Sequence, residues 1–311
     1  MRTAIIGAGN IAEKAYFPLL SAWQNMEIVG FHSHTKETVE DVSKRWGFKN
    51  GTTDLNQVLS LEPQAVFVIN KTETHFEICR FFMENGVDVY CEKSLAMSSA
   101  ESQELADIAA KHKRVLAVGF NRRYALLCQQ ARAIWDDRPI ESIIVQKHRY
   151  HDSHKTLSSY FLDDAIHQVD LLRFFCGDLI ALSCIREDDE KGNFTGTLSL
   201  LEIPGGGHAV FSVVTSAGAW QEKVDIHGGG MSLHLDMFRK LVIREKDHEL
   251  VYGRDRAGSW TSGMKERGFE GEIAHFLECC KTRETPRTSA SEAAKTQKLL
   301  EDLVRLSGEV V

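Results

Sequence analysis

Asp163, His167 and Asp170 are spaced so that an α-helix would line two carboxylates and an imidazole along one ridge. A carboxylate one turn from an imidazole fixes its tautomer and raises its basicity, which suits proton transfer near neutral pH. Leu162, Ile166, Val169 and Leu172 form the adjacent apolar stripe, which predicts a helix packed on a core. A second candidate is Glu92-Lys93, a carboxylate and an ammonium at the end of the apolar run Val87–Cys91. The third is Gly7-Ala8-Gly9-Asn10-Ile11-Ala12, entered directly from Ala4-Ile5-Ile6. This G-x-G-x-x-A pattern suits a dinucleotide. Gly7 permits the tight turn, Gly9 admits a pyrophosphate, and Ala12 lets a helix pack close on its strand. The helix N–H groups would face the phosphates. Taken singly, each pattern also fits a plain structural role: a satisfied buried histidine, a solvated ion pair, a glycine turn.

Positioning these groups requires a particular scaffold. Up to about residue 122, apolar runs (Thr3–Ile6, Glu27–Phe31, Ala65–Ile69, Val87–Cys91, Val115–Phe120) alternate with helical stretches. The runs are nearly continuous rather than alternating, as in parallel strands covered on both faces. Thr35–Trp46 and Thr74–Asn85 read as helices stopped by Gly47 and Gly86, and Ser98 to Glu101 as a capping box opening a third helix. Beyond Tyr124 the pattern changes. A helix near Ala125–Trp135, a strand over Ser142–Tyr150 and a helix over Ser159–Cys176 precede a strand-rich stretch, Ile180–Tyr252. Two helices close the chain, Lys265–Lys281 and Ser289–Leu306. The expected fold is α/β: a doubly wound Rossmann domain over 1–122, then a substrate-binding and dimerisation α/β domain over 123–311 with an open, mostly antiparallel sheet.

Composition narrows the function. The chain has 311 residues, 43% apolar and 26% charged, with a net charge of −7. That balance argues against nucleic acid, which needs a basic face. No apolar run approaches the ~20 residues of a membrane span, and the opening strand does not read as a secretory signal. The seven cysteines include no C-x-x-C pair, so buried free thiols in a reducing cytoplasm are expected. His148, His151 and His154 recur every third residue on a strand-to-loop segment, which sends their side chains apart, so no metal site is predicted. Gly228-Gly229-Gly230 reads as a hairpin turn rather than a phosphate loop. At the end of the second strand, where an acidic residue would hold the ribose diol of NAD, this chain has Ser33, with His34 and Lys36 beside it. A hydroxyl among cationic or donor groups tolerates a 2′-phosphate, so NADP is predicted ahead of NAD.

Taken together these residues resemble the Gfo/Idh/MocA oxidoreductases. The resemblance rests on the N-terminal G-x-G-x-x-A, Glu92-Lys93, Gly119-Phe120-Asn121-Arg122-Arg123-Tyr124, the D-x-x-x-H-x-x-D segment, and the ending Arg267-Gly268-Phe269-Glu270-Gly271-Glu272 with Thr285-Pro286-Arg287-Thr288. It covers nearly the whole chain. Gly119–Tyr124, Lys147-His148-Arg149 and Leu162-Asp163-Asp164 look nearest to the MviM-like branch. The resemblance implies NAD(P)-dependent hydride transfer to or from a sugar, cyclitol or related small polyhydroxylated molecule, and a homo-oligomer, dimer or tetramer, built through the second sheet. It implies Lys93 as the catalytic lysine with Asp163 and His167 as its aspartate–histidine pair. Asp170 becomes a further pocket acid, and Arg149 joins the substrate side. It places Gly7, Gly9, Asn10, Ile11, Ser33, His34, Asn70, Thr72, His75, Glu92 and Asn121 on the cofactor side. The chain departs from the family pattern at Ser94, where proline is usual, at Ser158–Phe161, which replaces a glycine-rich run, and at Ala165. A dinucleotide-binding regulator without turnover is the alternative on the same fold.

Overall fold

A computed structural model describes residues 1–150, 154–253 and 261–309. The chain divides into two units, Met1–Phe120 with Phe269–Ala294, and Asn121–Gly268 with Lys295–Val311.

In the first unit β1 (Arg2–Ile6), β2 (Glu27–His32), β3 (Gly51–Thr52), β4 (Ala65–Val68), β5 (Asp88–Cys91) and β6 (Leu116–Val118) form one sheet ordered β3-β2-β1-β4-β5-β6. Every pairing is parallel. β4 and β5 are buried at every position, as their unbroken apolar sequences require of strands covered on both faces. The helix ends follow the sequence signals. The Thr35 side chain accepts from the Thr38 N–H, and Gly47 takes the left-handed conformation after Trp46. The Ser98 side chain accepts from the Glu101 N–H, while Glu101 Oε2 reaches back to the Met97 N–H at 2.9 Å. The order of the sheet reverses between β1 and β4, the switch point at which α/β sheets receive ligands beyond their C-terminal strand ends.

The domain expectation needs one correction. Residues 269–294 belong to the first unit rather than to the second. Helix Phe269–Thr282 brings Phe276 to 5.5 Å from Phe67 and 5.7 Å from Tyr90, ring centre to ring centre. Arg283 then grips both oxygens of Asp88, at 3.0 and 2.5 Å, and the Thr288 carbonyl accepts from the Val118 N–H. The apolar face of this helix completes a core whose other members lie some two hundred residues earlier.

The second unit carries β7 (Ser142–His148), β8 (Ile180–Asp188), β9 (Phe194–Glu202), β10 (His208–Val214), β11 (Gln221–Gly228), β12 (Met231–Asp236), β13 (Lys240–Glu245) and β14 (His248–Gly253). The sheet order is β14-β13-β12-β11-β7-β10-β9-β8, antiparallel except for the β7–β10 pair. Burial alternates along β7, β11 and β12, so this sheet buries one face only. Gly229 and Gly230 form the β11–β12 hairpin turn, as read from the sequence.

Candidate functional site

The first unit presents its candidate residues along the C-terminal rim of the parallel sheet. Gly7 follows β1 at φ +113°, and a Cβ there would lie 2.7–2.8 Å from Asn70. Glycine is therefore required where the β1 and β4 loops meet. At Gly9 the nearest heavy atom to an added Cβ is the Ile69 carbonyl oxygen at 4.0 Å, so the backbone there borders open space. A helix starts at residue 10, widens into a π-helical turn over Ala12–Tyr16, where the Phe17 N–H bonds Ala12 O, and returns to α at Phe17. Its first N–H groups have no acceptor within the helix and face the rim. Ile11 stays 38% exposed at this end, an apolar surface beside the turn. Asn70 donates through Nδ2 to Thr74 Oγ1, and its buried Oδ1 has no hydrogen-bond donor among the described residues. An orphaned carbonyl oxygen beside a glycine turn and a helix N-terminus fits a dinucleotide. Ser33 is buried and bonded through its N–H to Thr52 O, with His34 exposed next to it and Thr72 half-buried in the short helix after β4.

Two residues expected on the cofactor side have their side chains directed into the fold. His75 is fully buried, with Nδ1 2.7 Å from Ser94 O and Nε2 3.1 Å from Asn70 O. Burial lowers its pKa. It ties together the loops after β4 and β5 rather than offering a nitrogen outward. Glu92 is likewise buried: Oε1 accepts from Tyr16 at 2.5 Å and Oε2 from the Lys93 N–H at 2.9 Å. Tyr16 also meets Tyr90 at 2.7 Å and Glu272 at 3.2 Å, and burial pushes both phenols well above their ordinary pKa. Gly119 roofs this cluster, since a Cβ there would lie 2.8 Å from the Tyr90 hydroxyl. Lys93, half-buried, is thus the member of the pair whose side chain is left at the rim, and the Lys93–Ser94 peptide bond is cis.

The second unit holds the aspartate–histidine segment. The expected single α-helical ridge is interrupted: Leu157–Tyr160 is α, Phe161–Ala165 is a π-helical turn closed by Ile166 N–H to Phe161 O, and Ile166–Cys176 is α again. The wide turn changes the angular step between Asp163 and His167, so their sequence spacing no longer fixes a shared face. Asp163 is exposed, its Oδ2 3.9 Å from His154 Nε2, while His167 is 7% exposed at the start of the following α-helix. Asp170 is 1% exposed, and its oxygens accept from Arg123 Nε and Nη2, both at 2.7 Å, with Thr296 at 3.2 Å. That carboxylate holds the unit together, which corrects its expected place in a substrate pocket. Asn121 is also spent locally, donating to Arg267 O at 2.9 Å and accepting from Arg122 at 3.3 Å.

Beside this segment lies a charge network that sequence reasoning missed apart from Arg149. Lys147, wholly buried, contacts Asp164 Oδ1 at 2.6 Å and Glu222 at 3.6 Å. Arg122 pairs with both Glu222 oxygens at 2.6 Å, and Arg149 with Asp164 at 2.7 and 2.5 Å. Burial pushes Lys147 down to about 8 despite its two carboxylates. Burial alone would raise Glu222, but Arg122 and Lys147 hold it at about 2, and Lys147 and Arg149 keep Asp164 lower still. The readable signal was period two: Lys147 follows Ile143 and Val145 on the inward face of β7, and Glu222 precedes Val224 and Ile226 on that of β11. No cluster of metal-ligating side chains occurs among the described residues. His148 and His154 are there, whereas His151 lies outside them.

Comparison with known proteins agrees with this layout. Residues 1–120 match the GFO_IDH_MocA family, described as an oxidoreductase family with an NAD-binding Rossmann fold. The chain is 28% identical over 317 residues to a protein of Salmonella typhimurium named "Putative oxidoreductase YceM", covering 98% of this chain and 97% of that one. It is 25% identical over 306 residues to scyllo-inositol 2-dehydrogenase (NAD(+)) of Bacillus subtilis, covering 92% and 88%. Among solved structures it resembles a dehydrogenase (MviM) of Clostridium difficile, with a TM-score of 0.88, 26% identity and 98% of each chain covered.

Proposed function

Starting from the chain's membership of the Gfo/Idh/MocA oxidoreductase family, we propose that it is an NAD(P)-dependent dehydrogenase or reductase acting on a hydroxyl or carbonyl carbon of a sugar-like or cyclitol substrate. The observation that carries this reading is the Gly7 turn, whose obligatory glycine, orphaned Asn70 oxygen and open Gly9 backbone lie at the switch point of the parallel sheet. When bound there, the nicotinamide dinucleotide supplies hydride chemistry. The chain's own residues do the rest. Gly7, Gly9, Asn10 and Ile11 hold the pyrophosphate side, and Ser33 with His34 receives the adenosine ribose, with NADP preferred to NAD. Lys93 holds or releases the hydroxyl proton from the first unit. His167 does so from the second, with Asp163 setting its basicity.

The relatives' names support a small polyhydroxylated substrate, since one of them acts on an inositol. The solvent face of β8 and β9 carries Ile180, Leu182, Ile185, Leu198 and Leu200, each 41–55% exposed. We assign a second copy of the chain to this face, in keeping with the expected homo-oligomer; the mass in solution checks it. All seven cysteines are free thiols, and no helix among the described residues is long and apolar enough to cross a membrane. Both observations support the cytoplasm as the site of action.

The test is NADPH and NADH absorbance against a panel of keto-sugars and inosose-type ketones. Oxidation by at least one ketone is expected. Cofactor binding without oxidation across the panel would favour a dinucleotide-binding regulator instead.

A further inference from the structure

The charge network of the second unit has a surface end that the proposed reaction does not use. Trp220 and Phe238 lie with ring centres 6.3 Å apart at 30°, forming a near-planar aromatic floor. Three guanidinium groups sit on it. Arg149 is 5.8 Å from the Trp220 ring centre, Arg122 5.9 Å from that of Phe238, and Arg267 5.8 and 5.6 Å from the two. Arg122 is committed to Glu222 and Arg149 to Asp164, but the Arg267 side chain makes no hydrogen bond or ion pair among the described residues and is exposed. With Lys147, four cations meet only two carboxylates, Asp164 and Glu222, in a chain whose net charge is −7. An unbalanced cationic cluster in an acidic protein needs an anion, and aromatic faces orient guanidinium forks for planar, bidentate acceptors. The cluster also adjoins the candidate chemistry, because Asp164, the anchor of Arg149, lies three residues before His167.

Resting on the oxidoreductase reading above, we propose that Arg149 and Arg267 over Trp220 bind an anionic substituent of the substrate, so that the enzyme acts on acidic sugars rather than neutral ones. A carboxylate and a phosphoryl group share the required chemistry of paired oxygens that accept from a guanidinium fork. The anion anchors the molecule at a carbon remote from the one that exchanges hydride.

Calorimetric titration of the full chain with D-glucuronate, D-glucose 6-phosphate and D-glucose tests this and separates the two sources. At least one acidic sugar is expected to bind about tenfold or more tightly than glucose, the scale of one charge-assisted hydrogen bond. Arg267→Ala should remove that advantage and Arg267→Lys restore part of it; the exposed side chain makes both variants compatible with folding. Equal binding of all three sugars, no saturable heat with either anion, or an advantage surviving Arg267→Ala would overturn the proposal. The readout is independent of turnover. Ketone reduction without anion preference sinks the acidic-sugar assignment alone, while anion preference without any NAD(P)H oxidation sinks the oxidoreductase reading alone.

Discussion

The two units bury polar groups in opposite ways. In the first, the carboxyl groups of Glu92 and Glu272 turn inward to the hydroxyls of Tyr16 and Tyr90, which can hold or pass a proton. In the second, Arg122, Lys147 and Arg149 meet Glu222 and Asp164 as fixed charges in forked geometry. The first cluster is built from groups that can become neutral, so its cost is one of protons. The second is built from groups whose charges persist, so its cost is desolvation, offset only while every partner is present. The difference teaches where each unit is vulnerable. The phenol cluster should tolerate loss of one hydroxyl better than the ionic network tolerates loss of one carboxylate.

Catalysis gives the largest contrast. Lys93→Ala is expected to lower turnover about 10²–10⁴-fold, the usual worth of a general acid–base group, while cofactor affinity by fluorescence titration stays near its starting value. His167→Ala should fall in the same range. If only one of the two variants loses turnover, proton handling belongs to one unit and the shared assignment fails.

Stability comes next. Glu222→Ala leaves Arg122 and Lys147 buried without their carboxylate and should cost about 3–5 kcal/mol in denaturant unfolding. Tyr16→Phe should cost about 1–3 kcal/mol. The reverse order would break the comparison between the clusters.

Acid sharpens it further. Glu222 is held at about 2 in the folded chain, against an ordinary 4.5. Between those values the unfolded chain binds the extra proton, so stability is complete above about 4.5 and is lost as the pH falls toward 2. The loss traceable to this residue is of order 3 kcal/mol. Melting curves recorded from pH 6 to 3 should show it, and Glu222→Gln should flatten the slope.

The smallest effect concerns the cofactor. Ser33→Asp should move preference toward NADH by about tenfold, or ~1.4 kcal/mol, through repulsion of a 2′-phosphate. Tighter NADH binding by the parent chain would overturn the NADP assignment.

How much of this was legible depended on whether a signal was local. Five of the six parallel strands were readable because a strand covered on both faces is apolar throughout, whereas the two-residue β3 at the sheet edge is too short to carry a pattern. Helix ends were readable because Thr35, Gly47 and Ser98 act on their own termini. The turn at Gly7 was readable for the same reason. The π-helical turn over Phe161–Ala165 was not, because it inserts a residue without altering the apolar stripe. Nor were the partners of Asp170 and Glu222, which lie 47 and 100 residues away in Arg123 and Arg122. Lys147 and Glu222 stood out as charges at inward positions of alternating strands, yet period two says only that such a charge has a partner, not which one.

The return of residues 269–294 to the parallel sheet bears on how the protein is made. During synthesis the six strands emerge long before Phe276 and Arg283, so Phe67, Tyr90 and Asp88 wait for partners that appear only near the end of translation. The nucleotide-binding half is encoded first but finished almost last. A transplant or truncation of it therefore has to carry both stretches of sequence, or a hydrophobic flank and a buried aspartate are left facing water.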